Sequence, residues 1–349
     1  MNENTYQITV GFPVYNVENY VHNSLASVLN QDFDDFEVIV VDDCGTDHSM
    51  DVIQKLISIH PKGKHVRIIK HKQNAGLAEA RNTAIKNSNS KYIYFVDSDD
   101  YISKDALSIF FKTAETYHTD VVYGSSFKQE GERIYEEDDN RLPLMFFLNS
   151  GDYTSYLYSN IRDVIPVVAW NALFSMDFLN KYNLLFPNIR YQEDLAFDEL
   201  FQPFVQKAVL LPNKTYYYVM RADSLMNKQY RDSISINEAT RTINLCNILK
   251  ETCKKSKNKS FYSGKCAKVM KKCFFQVAGI LKHRHQFTES LSNREIRDIM
   301  KHPESLFYIL KHKQLRKYNL LYYIIGVLPP DLSIYLIKII CKKKGYIRN

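Results

Sequence analysis

No Cys-x-x-Cys pair occurs among the six cysteines of this 349-residue chain, which removes the commonest zinc and dithiol signatures. Cys246, Cys253, Cys266 and Cys273 fall at helical or heptad spacings in a lysine-rich region. With Cys44 and Cys341 they read as small buried apolar residues of a reducing compartment. No glycine-rich loop follows the first apolar run, which argues against a nucleotidyltransferase. Met1-Asn2-Glu3-Asn4 opens no basic n-region or apolar h-region, so no secretory signal is expected and the expected location is cytoplasmic. No run reaches the 18 or so apolar residues of a spanning helix, because Pro329-Pro330, Asp331 and Lys338 interrupt Leu320 to Ile340. There is no internal repeat and no low-complexity linker.

What is present is a composition 45% apolar, ample for a packed core, and a net charge of +7 that is unevenly spread. From Arg231 onward 25 Lys+Arg face 8 Asp+Glu, leaving 21 against 31 in residues 1–230. The acidic part suits a divalent cation and, through it, phosphate. The basic part suits an anionic surface.

Residues 6–127 alternate strand-like and helix-like segments. Strands are expected at Tyr6 to Phe12, Phe36 to Val41, Val66 to His71, Lys91 to Val96 and Asp120 to Tyr123; helices at Val17 to Asn30, Ser49 to His60, Leu77 to Asn87 and Lys104 to Tyr117. Such alternation implies an α/β fold with a mostly parallel sheet flanked by helices, and ligands at the carboxyl ends of its strands. From Glu130 to Asn160 the chain is polar, reading as an excursion or helical insertion within the same domain, and beyond Arg231 the pattern is helical. Ser292-Asn293-Arg294-Glu295 reads as a capping box and Pro303 as that helix's stop. The expected domains are residues 1–230 and a mainly helical, basic region, 231–349.

Asp97-Ser98-Asp99-Asp100 follows the apolar run Lys91 to Val96 directly. In an extended segment Asp97 and Asp99 share a face, and two hard oxygen donors so placed suit Mg²⁺ or Mn²⁺ completed by water and phosphates. An acidic turn is the bland alternative. Asp42-Asp43 and Tyr15-Asn16 also leave the carboxyl ends of expected strands.

Pro13-Val14-Tyr15-Asn16, Val41-Asp42-Asp43-Cys44-Gly45-Thr46-Asp47, Asn74 to Asn82, Phe95 to Asp100 and Gln192-Glu193-Asp194-Leu195 stand together in an order and spacing that resembles the inverting family 2 glycosyltransferases of the GT-A fold, over roughly residues 6–224. The resemblance implies a GT-A (Rossmann-like) domain that transfers a sugar from a nucleotide-diphosphate donor, a UDP-sugar, to a hydroxyl of a glycan or lipid-linked acceptor with inversion. It implies that Pro13, Tyr15, Asp43, Gly76, Arg81, Asp97, Ser98 and Arg221 bind the donor. Asp43 would meet the uracil imide N–H, with Tyr15 near the ring; Arg81 would help hold the pyrophosphate pocket. Asp97 and Asp99 would hold Mn²⁺ or Mg²⁺, and Asp194 would be the general base. Relatives usually carry Asp-Asp-Gly-Ser where this chain has Asp42-Asp43-Cys44-Gly45, so an altered turn is expected. Arg221 and Ser224, after Tyr216-Tyr217-Tyr218, resemble the stretch that closes over the diphosphate.

Leu320 to Leu328 and Leu332 to Ile340, flanked by Lys311, Lys313, Arg316, Lys317 and Lys342-Lys343-Lys344, fit an amphipathic pair at an anionic membrane surface on the inner face of the cell membrane. A solvated lysine-rich face is the alternative. A non-catalytic sugar-nucleotide or partner-binding module is the rival function. Nucleic acid is not expected as a partner, because the tail's aromatics cluster in apolar runs rather than alternating with basic residues.

Overall fold

The apolar runs lack alternation because the strands they form are covered on both faces. In the computed structural model, which describes residues 6–135, 141–161, 165, 167–190, 192–221, 236–284 and 291–343, β1 (Ile8–Val14) and β2 (Phe36–Asp42) are buried at every residue. β1 pairs in parallel with β2 and with β4 (Tyr92–Phe95), and β2 with β3 (Val66–Lys70). Helices α1 (Val21–Leu29), α2 (Ser49–Ile59) and α3 (Leu77–Asn87) lie between them in the chain. The order β3-β2-β1-β4 changes direction at β1, so segments leaving β1, β2 and β4 emerge at one carboxyl edge.

The sheet continues as β9-β6-β10-β5. Here β9 (Ala172–Ser175) runs antiparallel to both β4 and β6 (Val121–Glu130), and β6 is parallel to β10 (Ala208–Val219). The short strands β5 (Tyr101–Ile102) and β8 (Met145–Phe147) pair with β10, and β7 (Arg133–Tyr135) with β6. Val10, Phe12, Val38, Val40 and Tyr94 of the sheet form one core with Leu25, Val28 and Ile53 of the first helices and Leu107 and Phe110 of α4 (Ala106–Tyr117).

Several boundaries differ from expectation for local reasons. α1 starts at Val21 rather than Val17 because the N–H groups of Tyr20 and Val21 both donate to Val17 O, closing a turn first. The strand expected to end at Tyr123 runs to Glu130, its polar half held by β10 on one side and β7 on the other. The stretch expected as an excursion contains β7, β8 and α5 (Asp152–Ser159). The acidic run Glu136 to Asp139 lies outside the described residues.

The chain divides into two compact units, Met1–Tyr153 with Val167–Ala222, and Thr154–Pro166 with Asp223–Asn349. The expected boundary at 230/231 lies outside the described residues. The second unit is helical: α8 (Ile236–Lys254), α9 (Tyr262–Lys282), α10 (Asn293–Ile299), α11 (Leu306–Lys311), α12 (Arg316–Val327) and α13 (Pro330–Lys343). Its center is α9, whose Tyr262, Val269, Met270 and Val277 are fully buried. The capping box forms, Ser292 Oγ accepting from Glu295 N and the Glu295 carboxylate accepting from Ser292 N, and α10 ends four residues before Pro303. Five cysteines are buried and none of the six forms a disulfide. Among the described residues no helix is long and apolar enough to cross a membrane.

Candidate active site

The turn leaving β2 keeps the geometry a glycine would give it. Cys44 has φ +58°, the left-handed region, and its N–H donates to Asp42 Oδ1 at 3.0 Å. A side chain in that region costs about 1–2 kcal/mol, which glycine at this position would avoid. Asn16 Oδ1 accepts from Thr46 N at 2.7 Å and ties this turn to the loop beyond β1, where Tyr15 stands 48% exposed. Pro13 is buried in β1 opposite Val41.

Asp43 is buried, and its carboxylate gathers the start of α3. Oδ1 accepts from Ala75 N at 2.8 Å and Oδ2 from Gly76 N at 2.9 Å. Gly76 reaches this position at φ +91°, a conformation that strains any side chain. His71 Nδ1 lies 2.7 Å from Asp43 Oδ1, and its Nε2 lies 2.8 Å from Thr83 Oγ1. His71 was missed in the sequence, although it leaves β3 at the same carboxyl edge as the other candidates.

One turn into α3, Arg81 is the hub of the site. Its Nη2 donates to Asp97 Oδ1 at 2.8 Å, and Nη1 to Asp194 Oδ1 at 2.5 Å and Glu193 Oε1 at 3.2 Å. The guanidinium is 1% exposed and lies 5.4 Å from the Phe186 ring and 6.0 Å from Phe95. Asn82 fixes the Phe186 segment by donating to Phe186 O and accepting from Phe186 N. Arg81 therefore meets the site through carboxylates. Burial works against its charge, and the three carboxylates around it more than offset that.

Asp97 to Asp100 is a turn rather than the extended segment expected, because Asp100 N donates to Asp97 O at 3.0 Å. Asp97 N donates to Tyr216 Oη, whose O–H donates to the buried Asp100 carboxylate; Val219 N reaches the other Asp100 oxygen. Ser98 is buried inside the turn. Asp99 Oδ2 is 2.5 Å from Arg221 Nη2, while Ser224 lies outside the described residues. Burial raises Asp99 above the usual carboxylate range and the neighboring Asp97 charge adds to the rise, against the pull of Arg221. Among the described residues no three metal-ligating side chains cluster. Asp97 and Asp99 are each only partly covered, with 23% and 21% of the side chain exposed, and two such carboxylates fit a hard divalent cation that takes its remaining ligands from water and phosphates.

Asp194 sits in the first turn of α7 (Glu193–Phe201), whose cap is Gln192. Burial pushes it up to about 7, opposed by Arg81 and the Ala169 N–H and reinforced by Glu193 and Asp97. Beyond Ala169, Trp170 stacks on Tyr216 at 4.6 Å and Tyr218 at 5.8 Å. Burial first, then the charges of Asp100, Asp99 and Asp97, raise the Tyr218 phenol, which places this ring beside the acidic turn. A separate recess of about 570 Å³, lined by residues such as Gln31, His60 and Lys104, shares no residue with these carboxylates.

The acidic side chains gather where the strand order reverses, the place at which open α/β sheets take their ligands. The signature described as Glycosyl transferase family 2 matches residues 9–182. The chain is 30% identical over 190 residues to an uncharacterized glycosyltransferase of Haemophilus influenzae, covering 54% of this chain and 69% of that protein. It is 27% identical over 231 residues to glycosyltransferase GlyA of Streptococcus pneumoniae, covering 63% of this chain and 31% of GlyA. The chain spans between about a third and about two thirds of the length of the first curated relatives it matches. A crystal structure of S. aureus TarS residues 1–349 in complex with UDP-GlcNAc shares the fold, with a TM-score of 0.66 at 18% identity, over 97% of this chain and 92% of that one. The chain belongs to glycosyltransferase family 2.

Proposed function

We propose that the first unit transfers a sugar from a UDP-sugar to a hydroxyl of a glycan or lipid-linked acceptor, by a single displacement that inverts the anomeric center. The observation that carries this reading is the hub at Arg81, which joins Asp97, Glu193 and Asp194 from three segments remote in sequence. Asp43, its orientation fixed by the α3 amides, accepts the imide N–H of uracil on the free lone pair of Oδ2, with Tyr15 against the ring and Pro13 beneath. Gly76 lets the backbone approach the nucleotide. Arg81 serves the pyrophosphate pocket from behind, by aiming Asp97, and Arg221 faces the diphosphate from the opposite side.

Asp97 and Asp99, with Ser98 holding their turn, would bind Mn²⁺ or Mg²⁺, which supplies Lewis-acid neutralization of the departing nucleotide. Asp194 accepts the proton of the acceptor hydroxyl as the new bond forms. A carboxyl that titrates at about 7 is well matched to that task, because a large share of it is ionized at neutral pH and it is basic enough to drive the transfer. Trp170 and Tyr218 give the reacting sugars an apolar wall. Six cysteines without a disulfide fit a reducing cytoplasm.

The test is release of nucleotide from a panel of sugar nucleotides, with and without Mn²⁺. Turnover of UDP-sugars and its loss in Asp194→Asn support the reading. A protein that binds no sugar nucleotide in either condition overturns it and leaves a binding module.

A further inference from the structure

Sixteen large apolar side chains are exposed among the described residues, and eight of them fall between Leu306 and Tyr335, with none between residues 240 and 305. Phe307 is 78% exposed, Tyr335 63% and Val327 57%. On α12 and α13 the two faces are cleanly divided. Tyr322, Ile325, Ile334, Ile337 and Cys341 pack inward, while Ile324, Val327, Leu332 and Tyr335 point to solvent.

The same stretch, residues 306–343, holds seven Lys and Arg residues against one acid, Asp331. All seven are exposed, and none forms an ion pair among the described residues, whereas Lys254, Lys257 and Lys301 elsewhere in the unit each have a carboxylate partner. Unpaired cations flanking exposed aromatic and aliphatic side chains match a surface with negative headgroups above an apolar layer.

We propose that α11, α12 and α13 form a docking face for an anionic lipid bilayer, with Phe307, Val327, Leu332 and Tyr335 entering the interface and Lys317, Lys338 and Lys342 at the headgroups. The face lies wholly in the second unit, so the inference stands apart from the donor-site reading. Nucleotide binding followed in parallel separates the failure of one from the failure of the other.

The experiment is flotation of the full chain with phosphatidylcholine–phosphatidylglycerol vesicles and with phosphatidylcholine vesicles. The expected result is recovery with the anionic vesicles only, lost at high salt. Lys338→Gln with Lys342→Gln should lower partitioning about tenfold or more, and Phe307→Ser with Tyr335→Ser should lower it comparably. These side chains are exposed, so an unchanged circular dichroism spectrum and melting temperature are expected and serve as the fold control. Equal binding to both vesicle types, or binding to neither, overturns the proposal. So does a self-association in solution that Phe307→Ser abolishes while vesicle binding is absent, since the face would then serve a second copy of the chain.

Discussion

Arg81 Nη1 and Asp194 Oδ1 lie 2.5 Å apart although 113 residues separate them in the chain. Because the same guanidinium holds Asp97, the candidate base and the candidate cation ligand share one buried positive charge. The geometry ties the proposed proton acceptor to the proposed leaving-group side of the reaction through a single side chain. A buried charge in this position is a liability without its partners and a strong positional constraint with them.

Replacing Arg81 therefore tests the hub. Arg81→Gln leaves three carboxylates without their cation, and removal of one partner from a buried ion pair typically costs about 3–5 kcal/mol. Chemical denaturation should show a loss of that order, together with loss of turnover. Arg81→Lys restores the charge but not the fork that reaches Asp97 and Asp194 at once, so it should recover stability more than activity.

Asp194→Asn removes the proton acceptor while keeping the shape of the site. Turnover should fall by about a hundredfold to ten-thousandfold, with the dissociation constant for UDP little changed, as measured by calorimetry beside steady-state kinetics. The pH profile gives an independent readout. Burial raises the Asp194 carboxyl to about 7, so the ionized, competent form dominates above that pH and is lost below it. The rate should climb with pH through the region of 7 and level off, and Asp194→Asn should abolish that limb.

The parallel half of the sheet and the carboxyl-edge placement of Asp43 and Asp97 were legible because β1, β2 and β4 are buried on both faces and so write unbroken apolar runs. β9 was not, being four residues long and inserted antiparallel between strands remote from it in sequence. The polar half of β6 was equally silent, since its partners rather than its own residues make it a strand. Asp97 could be picked out by type and position, and Arg81 and Asp194 through the family resemblance, but their sharing of one guanidinium depends on a fold-level approach that no local pattern encodes. Tyr216 stood in the sequence only as one of three tyrosines before Arg221. Only its fully buried O–H between Asp97 N and Asp100 shows that it fixes the acidic turn.

Cation dependence tests the acidic turn. Asp99 is raised by burial and by the charge of Asp97, two effects that a bound divalent cation would offset by favoring both ionized carboxylates. Chelation by EDTA should suppress turnover and Mn²⁺ should restore it. Asp99→Asn should weaken Mn²⁺ binding, followed by its paramagnetic signal, and lower the melting temperature less than Arg81→Gln does, because the Asp99–Arg221 pair is more exposed than the hub and Asn keeps an acceptor for Arg221.

His71 provides the last test, in contact with the same helix that carries the hub. Its Nδ1 faces Asp43 and its Nε2 faces Thr83, so the ring joins the β2 turn to the helix that carries Arg81. In the neutral ring, an Nδ1–H donor to Asp43 leaves Nε2 to accept from the Thr83 hydroxyl, which satisfies both nitrogens in one tautomer. Asp43 then receives three N–H donors, and the orientation proposed for it toward the nucleotide depends on all of them. Hydrogen bonds to a charged group contribute about 1.5–3 kcal/mol, so His71→Ala should raise the dissociation constant for UDP about tenfold or more. Turnover at saturating donor should fall much less, because Asp194 and the acidic turn are untouched. His71→Gln, which retains an N–H within reach of Asp43, should recover much of the lost affinity. A merely structural ring would instead lower the melting temperature and leave the affinity of the folded protein unchanged, so measuring both in the same variants separates positioning from packing.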